Sequence, residues 1–61
     1  MNVKAIREQC EKQGISQNEL ARRTGVSVAH MSNVMNQKRD ARVELLKKMC
    51  ELFGVKAEEI W

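Results

Sequence analysis

The sequence predicts a compact all-α domain of five helices that occupies residues 1–61 as a single unit. Three observations carry this expectation. Apolar residues recur at helical spacing, and no period-two alternation is long enough for a strand. The chain contains no proline to interrupt those stretches. Its three glycines, Gly14, Gly25 and Gly54, fall where the periodic stretches stop, as expected of a residue that accepts the left-handed conformation ending many helices.

The elements follow in order. Helix 1 is expected from Asn2 to Gln13, with Val3, Ile6 and Cys10 on the inner face and Lys4, Arg7, Glu8, Glu11 and Lys12 toward water. Helix 2 is expected from Gln17 to Thr24. Ser16 and Glu19 have the spacing of a capping box, in which each side chain satisfies a backbone donor at the other's position, while Leu20 and Ala21 point inward and Arg22 and Arg23 outward. Gly25 stops it, and Ser27 two residues later is a good N-cap for helix 3, so the chain turns sharply between two short helices. Asp40 is expected to cap helix 4, from Ala41 to Phe53, with Val43, Leu46, Met49, Cys50 and Phe53 completing the core. Leu45 and Leu52, seven residues apart, form an adjoining stripe. A short fifth helix from Ala57 onward presents Ile60 and Trp61, with Glu58 and Glu59 near its positive end. Lys56 is a poor cap for it.

Composition limits what such a domain does. At 61 residues it is near the smallest size at which a core holds without metal or disulfide, burying only about 60% of the unfolded surface. No enzyme cleft fits that size, and no nucleophile–base pair, glycine-rich phosphate loop or metal set is present. Cys10, Cys50 and His30 are too few for a zinc site, which usually takes four ligands in paired short spacings. A Cys10–Cys50 disulfide is geometrically possible, but both cysteines occupy apolar helical positions, where a free thiol behaves as a small hydrophobe. No cofactor is expected. No apolar stretch approaches the ~20 residues of a membrane span, and "MNVKAIREQ" lacks the apolar centre of a signal peptide, so no membrane association and a cytoplasmic location are expected.

The net charge is +3, but its placement says more. Residues 22 to 48 hold seven basic residues against Asp40 and Glu44, so this stretch carries +5 and the remainder −2. Inside it, "GVSVAHMSNVMNQ", from Gly25 to Gln37, has no Asp, Glu, Lys or Arg. At 100° per residue Met31, Val34 and Met35 cluster on one side of helix 3. Ala29, Ser32, Asn33 and Asn36 share the other, with Val28 and His30 at its margins. A small, polar, uncharged face suits the DNA major groove, where Asn bonds bidentately to adenine, Ser donates or accepts, and Val or Ala touches a thymine methyl. Basic residues at its edges neutralise phosphates and fix register without reading sequence.

The ordered set Gln17, Glu19, Leu20, Ala21, Gly25, Val26, Ser27, Met31 and Val34 in "SQNELARRTGVSVAHMSNV", continued through "LLKKMCELFGV" to Ile60, resembles the helix-turn-helix domains of the lambda-repressor and Cro type, found in phage repressors and small bacterial regulators. The resemblance spans nearly the whole chain and implies a lambda-repressor-like fold with helices 2 and 3 as the helix-turn-helix. It implies that Gln17 bonds a DNA phosphate, aided by the donors of a helix N-terminus. Val28, Ala29, Ser32 and Asn33 match base-reading positions. Asn36, Lys38, Arg39 and Arg42 match positions that grip the backbone, and His30 at the margin touches phosphate or water. The chain departs from the pattern where many members have Glu at the end of the recognition helix and Gly two residues later. Met35 and Gln37 stand there, and Cys10 occupies the place of the Arg that pairs with that Glu. A Cys10–Met35 apolar contact is therefore expected in place of an ion pair. Since Gln37 lacks glycine's freedom, either Asn36 takes the left-handed conformation or the helix ends another way.

Two readings of Trp61 stand side by side: it closes the base of the core with Val55 and Ile60, or it meets a second subunit, since tryptophan is enriched at interface hot spots. The resemblance favours a homodimer on a palindromic site, with Leu45, Leu52, Ile60 and Trp61 as its contact residues. The leading expectation is a sequence-specific double-stranded-DNA-binding regulator, a repressor that occupies its operator, with no small-molecule effector. An antitoxin, or the DNA-binding part of a larger regulator that also binds a protein, is the alternative.

Overall fold

A computed structural model describes residues 1–37 and 42–61. Four α-helices and one turn of 3-10 helix make up the described chain: α1 (Val3–Gln13), α2 (Gln17–Thr24), α3 (Val28–Met35), α4 (Val43–Phe53) and η1 (Ala57–Glu59). The architecture is all-helical as expected, but the fifth helix is only a 3-10 turn, closed by Glu59 N–H to the Lys56 carbonyl at 3.0 Å. Lys56 supplies no side-chain cap. Instead the Glu59 carboxylate accepts from the Lys56 N–H at 2.8 Å, the reverse half of a capping box.

Short-range capping sets the other boundaries. Asn2 is the N-cap of α1 rather than its first residue, accepting from the Ala5 N–H at 3.1 Å. Ser16 and Ser27 cap α2 and α3, accepting from Glu19 N–H at 3.1 Å and His30 N–H at 3.0 Å. The second half of the expected box on α2 does not form. The Glu19 carboxylate turns to Arg22 and Arg23, taking Nη2 of the first at 2.6 Å and Nε of the second at 2.7 Å. Two cations outbid one backbone N–H that water can satisfy. Gly25, at φ +78°, ends α2 in the left-handed conformation, and the Val26 N–H closes back on the Ala21 carbonyl at 3.1 Å, which turns the chain into α3.

The core is one cluster built from every element but the 3-10 turn itself: Val3, Ile6, Leu20, Ala21, Met31, Val34, Met35, Leu45, Leu46, Met49 and Phe53, closed below by Ile60. α2 packs on both α3 and α4, α1 on α4, and η1 on α4. The N–H of Asn2 donates to the Ile60 carbonyl at 2.9 Å, fastening the start of α1 to the end of η1. Thr24 is a buried polar residue, and its hydroxyl donates to the Leu20 carbonyl at 2.7 Å.

On α4 two expectations exchange places. Val43, expected in the core, is 52% exposed, and Leu45, expected on the adjoining stripe, is 5% exposed. The buried face is centred between Leu46 and Met49, with Leu45 about 70° to one side of that centre and Val43 about 90° to the other. α4 begins at Val43 with Arg42 as an N-cap that makes no side-chain bond. The expected cap Asp40 and first residue Ala41 lie outside the described residues.

Candidate nucleic-acid interface

α3 is held by its buried side. Met31 and Val34 are fully buried and Met35 nearly so, which leaves Val28, Ala29 and Asn33 exposed on the opposite side, with Ser32 half-buried beside them. Val28, at 50% exposure, is a large apolar side chain offered to solvent. Asn36, exposed at the C-cap, donates through Nδ2 to Ser32 Oγ at 3.4 Å. The four base-reading candidates thus lie on one helical element that carries no charged side chain, with Asn36 bonded to one of them.

Gln17 is exposed at the first position of α2, where unsatisfied backbone N–H groups favour an anion. Arg42, exposed at the start of α4, and His30, half-buried on α3, line one cleft of about 190 Å³ together with Lys48. Lys38 and Arg39 lie outside the described residues. Lys48 was not among the expected site residues. Its Nζ lies 3.8 Å from where a Cβ at Gly25 would be, so it places a positive charge beside the turn between α2 and α3. No local signal marks it, because the approach depends on how α4 packs against α2.

Arg22 and Arg23 face outward, but both are tied to Glu19. Hydrogen bonds from Arg22 first and Arg23 second hold the Glu19 carboxyl below its usual range, and the same contact raises the Arg22 guanidinium. Their charge is therefore partly spent within α2.

The far end of α3 differs most from expectation. Asn36 keeps a negative φ of −92°, and Gln37 takes the left-handed conformation at φ +58°. The glycine-like conformation survives where the glycine does not. Cys10 and Met35 line the same cleft of about 180 Å³, together with Ile15 and Leu20, where the ion pair of the family pattern would sit. Both cysteines are free and half-buried, and burial pushes the Cys10 thiol up. An arginine does serve this end of α3, from one turn earlier on α1. Arg7 Nη2 donates to the Met35 carbonyl at 3.3 Å. Gln13, at the end of α1, donates through Nε2 to the Phe53 carbonyl at 3.0 Å. α1 therefore supplies side-chain caps to the C-termini of both α3 and α4.

Of the expected subunit contacts, Leu45 and Ile60 are buried in the protomer's own core at 5% and 0% exposure, Leu52 is half-buried, and Trp61 is 53% exposed. Among the described residues no three His, Cys, Asp or Glu side chains gather as a metal site requires, and no helix is long and apolar enough to cross a membrane.

Two short helices joined by a left-handed glycine turn, the second anchored by one face and open on the other, define a helix-turn-helix module. The chain belongs to the helix-turn-helix family of the lambda-repressor and Cro type, whose model matches residues 4–60. No curated protein and no solved structure matches the chain. Family membership makes this a DNA-binding regulator domain.

Proposed function

We propose that the protein is a sequence-specific repressor that inserts α3 into the major groove of a palindromic operator and binds it as a homodimer. The observation that carries this reading is the uncharged polar side of α3, with Ala29, Ser32 and Asn33 opposite a fully buried Met31 and Val34. Carboxylates on that side would repel phosphate. Asn33 is the chief base reader, since a bidentate Asn–adenine pair discriminates by about 1–3 kcal/mol. Gln17, His30, Arg42 and Asn36 hold the backbone on either flank, joined by Lys38 and Arg39 in the connection that follows. Occupying the operator is itself the regulatory act in this reading.

The homodimer rests on Trp61. With Leu45 and Ile60 inside the protomer, Trp61 and the exposed edge of Leu52 are what remains of the expected contact set, and tryptophan is enriched at interface hot spots. Sedimentation of the free and DNA-bound protein, with Trp61→Ala alongside, reads this directly. A variant that binds the operator with unchanged affinity and stoichiometry removes Trp61 from the interface.

In vitro selection from randomised duplex DNA, followed by titration of the enriched site at several salt concentrations, tests the whole reading. It predicts a two-fold symmetric site whose half-sites lie about 10 base pairs apart, or a multiple of that. Asn33→Ala should flatten discrimination at one base pair per half-site. Salt-sensitive binding with no enriched sequence would refute sequence reading while leaving the basic flanks as a nonspecific surface.

A further inference from the structure

The two ends of α3 are capped differently. Ser27 satisfies the N-terminus. At the other end the last turn contains no basic residue, no glycine follows, and the chain leaves through Gln37 at φ +58°. A non-glycine residue in that conformation costs about 1–2 kcal/mol and persists only where its surroundings hold it. The N–H of Gln37 bonds the Val34 carbonyl at 3.0 Å, and that of Asn36 the Ser32 carbonyl at 2.9 Å. The Met35 carbonyl is held from outside the helix, by Arg7 across 28 positions of sequence. It is one of the orphan acceptors that carry the negative end of the helix dipole, where a cation is favoured.

Arg7 makes this contact directly, at 3.3 Å and partly buried. Together with Glu11, it lines two clefts. One is the cleft of about 180 Å³ that reaches Cys10 and Gln17. The other runs past Val3, Lys4 and Glu8 to Asn36 and Gln37. Met35 borders both. Among the described residues no other side chain bonds the end of α3 from another helix.

We propose that Arg7 is a positioning residue for sequence readout. By holding the Met35 carbonyl against the strain at Gln37, it keeps the last turn of α3 wound and so aims Asn33 and Asn36, without itself touching DNA. This rests on the reading that α3 reads bases. Loosening the last turn should blur the base pair read by Asn33 and spare those read by Val28 and Ala29, which sit on the Ser27-capped end.

The test uses the full chain and the duplex selected with it. Arg7→Met keeps the length of the stem and removes the donor, Arg7→Lys restores a donor and a charge, and Arg7→Met combined with Gln37→Gly removes the strain that Arg7 opposes. The readout is the ratio of Kd values for the selected duplex and its single-base variants, at several salt concentrations, with thermal unfolding measured alongside. Losing one hydrogen bond from a charged donor predicts about a tenfold loss of discrimination at the Asn33 base pair for Arg7→Met, little change at the pairs read by Val28 and Ala29, and an unchanged salt slope. Arg7→Lys should keep most of the discrimination, and adding Gln37→Gly should recover part of it. Uniform weakening on every duplex, with the salt slope reduced by about 0.9, would make Arg7 a phosphate contact and overturn the proposal. Discrimination intact in folded Arg7→Met, however destabilised, would overturn it as well. If Arg7→Met alone does not fold, the Gln37→Gly double variant decides: discrimination recovered, or lost only at the Asn33 base pair, supports the proposal, and a loss spread evenly over the pairs read by Asn33, Val28 and Ala29 overturns it. A wild-type protein that selects no sequence overturns base reading and this proposal together.

Discussion

Replacing Gln37 with glycine should make the protein more stable. Gln37 sits at φ +58°, where an L side chain costs about 1–2 kcal/mol relative to the right-handed region. Glycine removes that cost but gives back about 0.5–1 kcal/mol through the larger freedom of its unfolded chain. The net gain is about 0.7 kcal/mol. A domain of 60–100 residues shifts by about 4–8 °C per kcal/mol, so the midpoint should rise by about 3–6 °C. Circular dichroism through a thermal melt, repeated in urea, measures it. Gly14→Ala is the matching control with the opposite sign. Gly14 lies at φ +66° with nothing within 4 Å of a new Cβ, so its loss should reflect backbone conformation alone, at about 1 kcal/mol. A Gln37→Gly protein no more stable than the parent, with Gly14→Ala destabilised as stated, would show that Gln37 is not left-handed in solution.

Other consequences are open to direct measurement. Ser16→Ala removes the acceptor for the Glu19 N–H and should cost about 1 kcal/mol in urea unfolding; a loss below about 0.3 kcal/mol would mean that water or a neighbour replaces the cap. Cys10→Leu places added apolar volume in the cleft of about 180 Å³ shared with Met35 and should stabilise by about 1 kcal/mol, whereas destabilisation would show that the cleft is closed. Because its contacts with Arg22 and Arg23 lower the Glu19 carboxyl below its usual range, they favour folding above that range, and the benefit drains away as pH falls through the lowered value. Glu19→Gln should therefore flatten the acid limb of the stability–pH curve, and an unaltered limb would assign it to other carboxylates.

Much of the fold was legible because its signals are short-range. Ser16, Ser27, Gly14, Gly25 and Gly54 act within a few residues of themselves, and the buried face of α3 follows from helical spacing alone. The uncharged face of α3 was legible for the same reason. Val43 and Leu45 were misjudged because the centre of a buried stripe depends on which neighbours α4 meets, and helical spacing alone does not fix that centre. The capping box at Ser16 and Glu19 was half right, since the sequence offered Glu19 two partners and could not rank them.

The sequence by itself determined the bounds of α2 and α3, that they form the helix-turn-helix, and which side of α3 is left exposed, because those features obey hydrogen bonds and periodicities that close within six residues or fewer. Only the tertiary structure decided that Arg7 and Gln13, both exposed on α1, reach the terminal carbonyls of α3 and α4, that Lys48 comes to the turn at Gly25, and that Gln37 takes the glycine's conformation. Long side chains on an exposed face have no local partner to announce them. Their acceptors are orphan carbonyls at the ends of other helices, and packing alone brings those within reach.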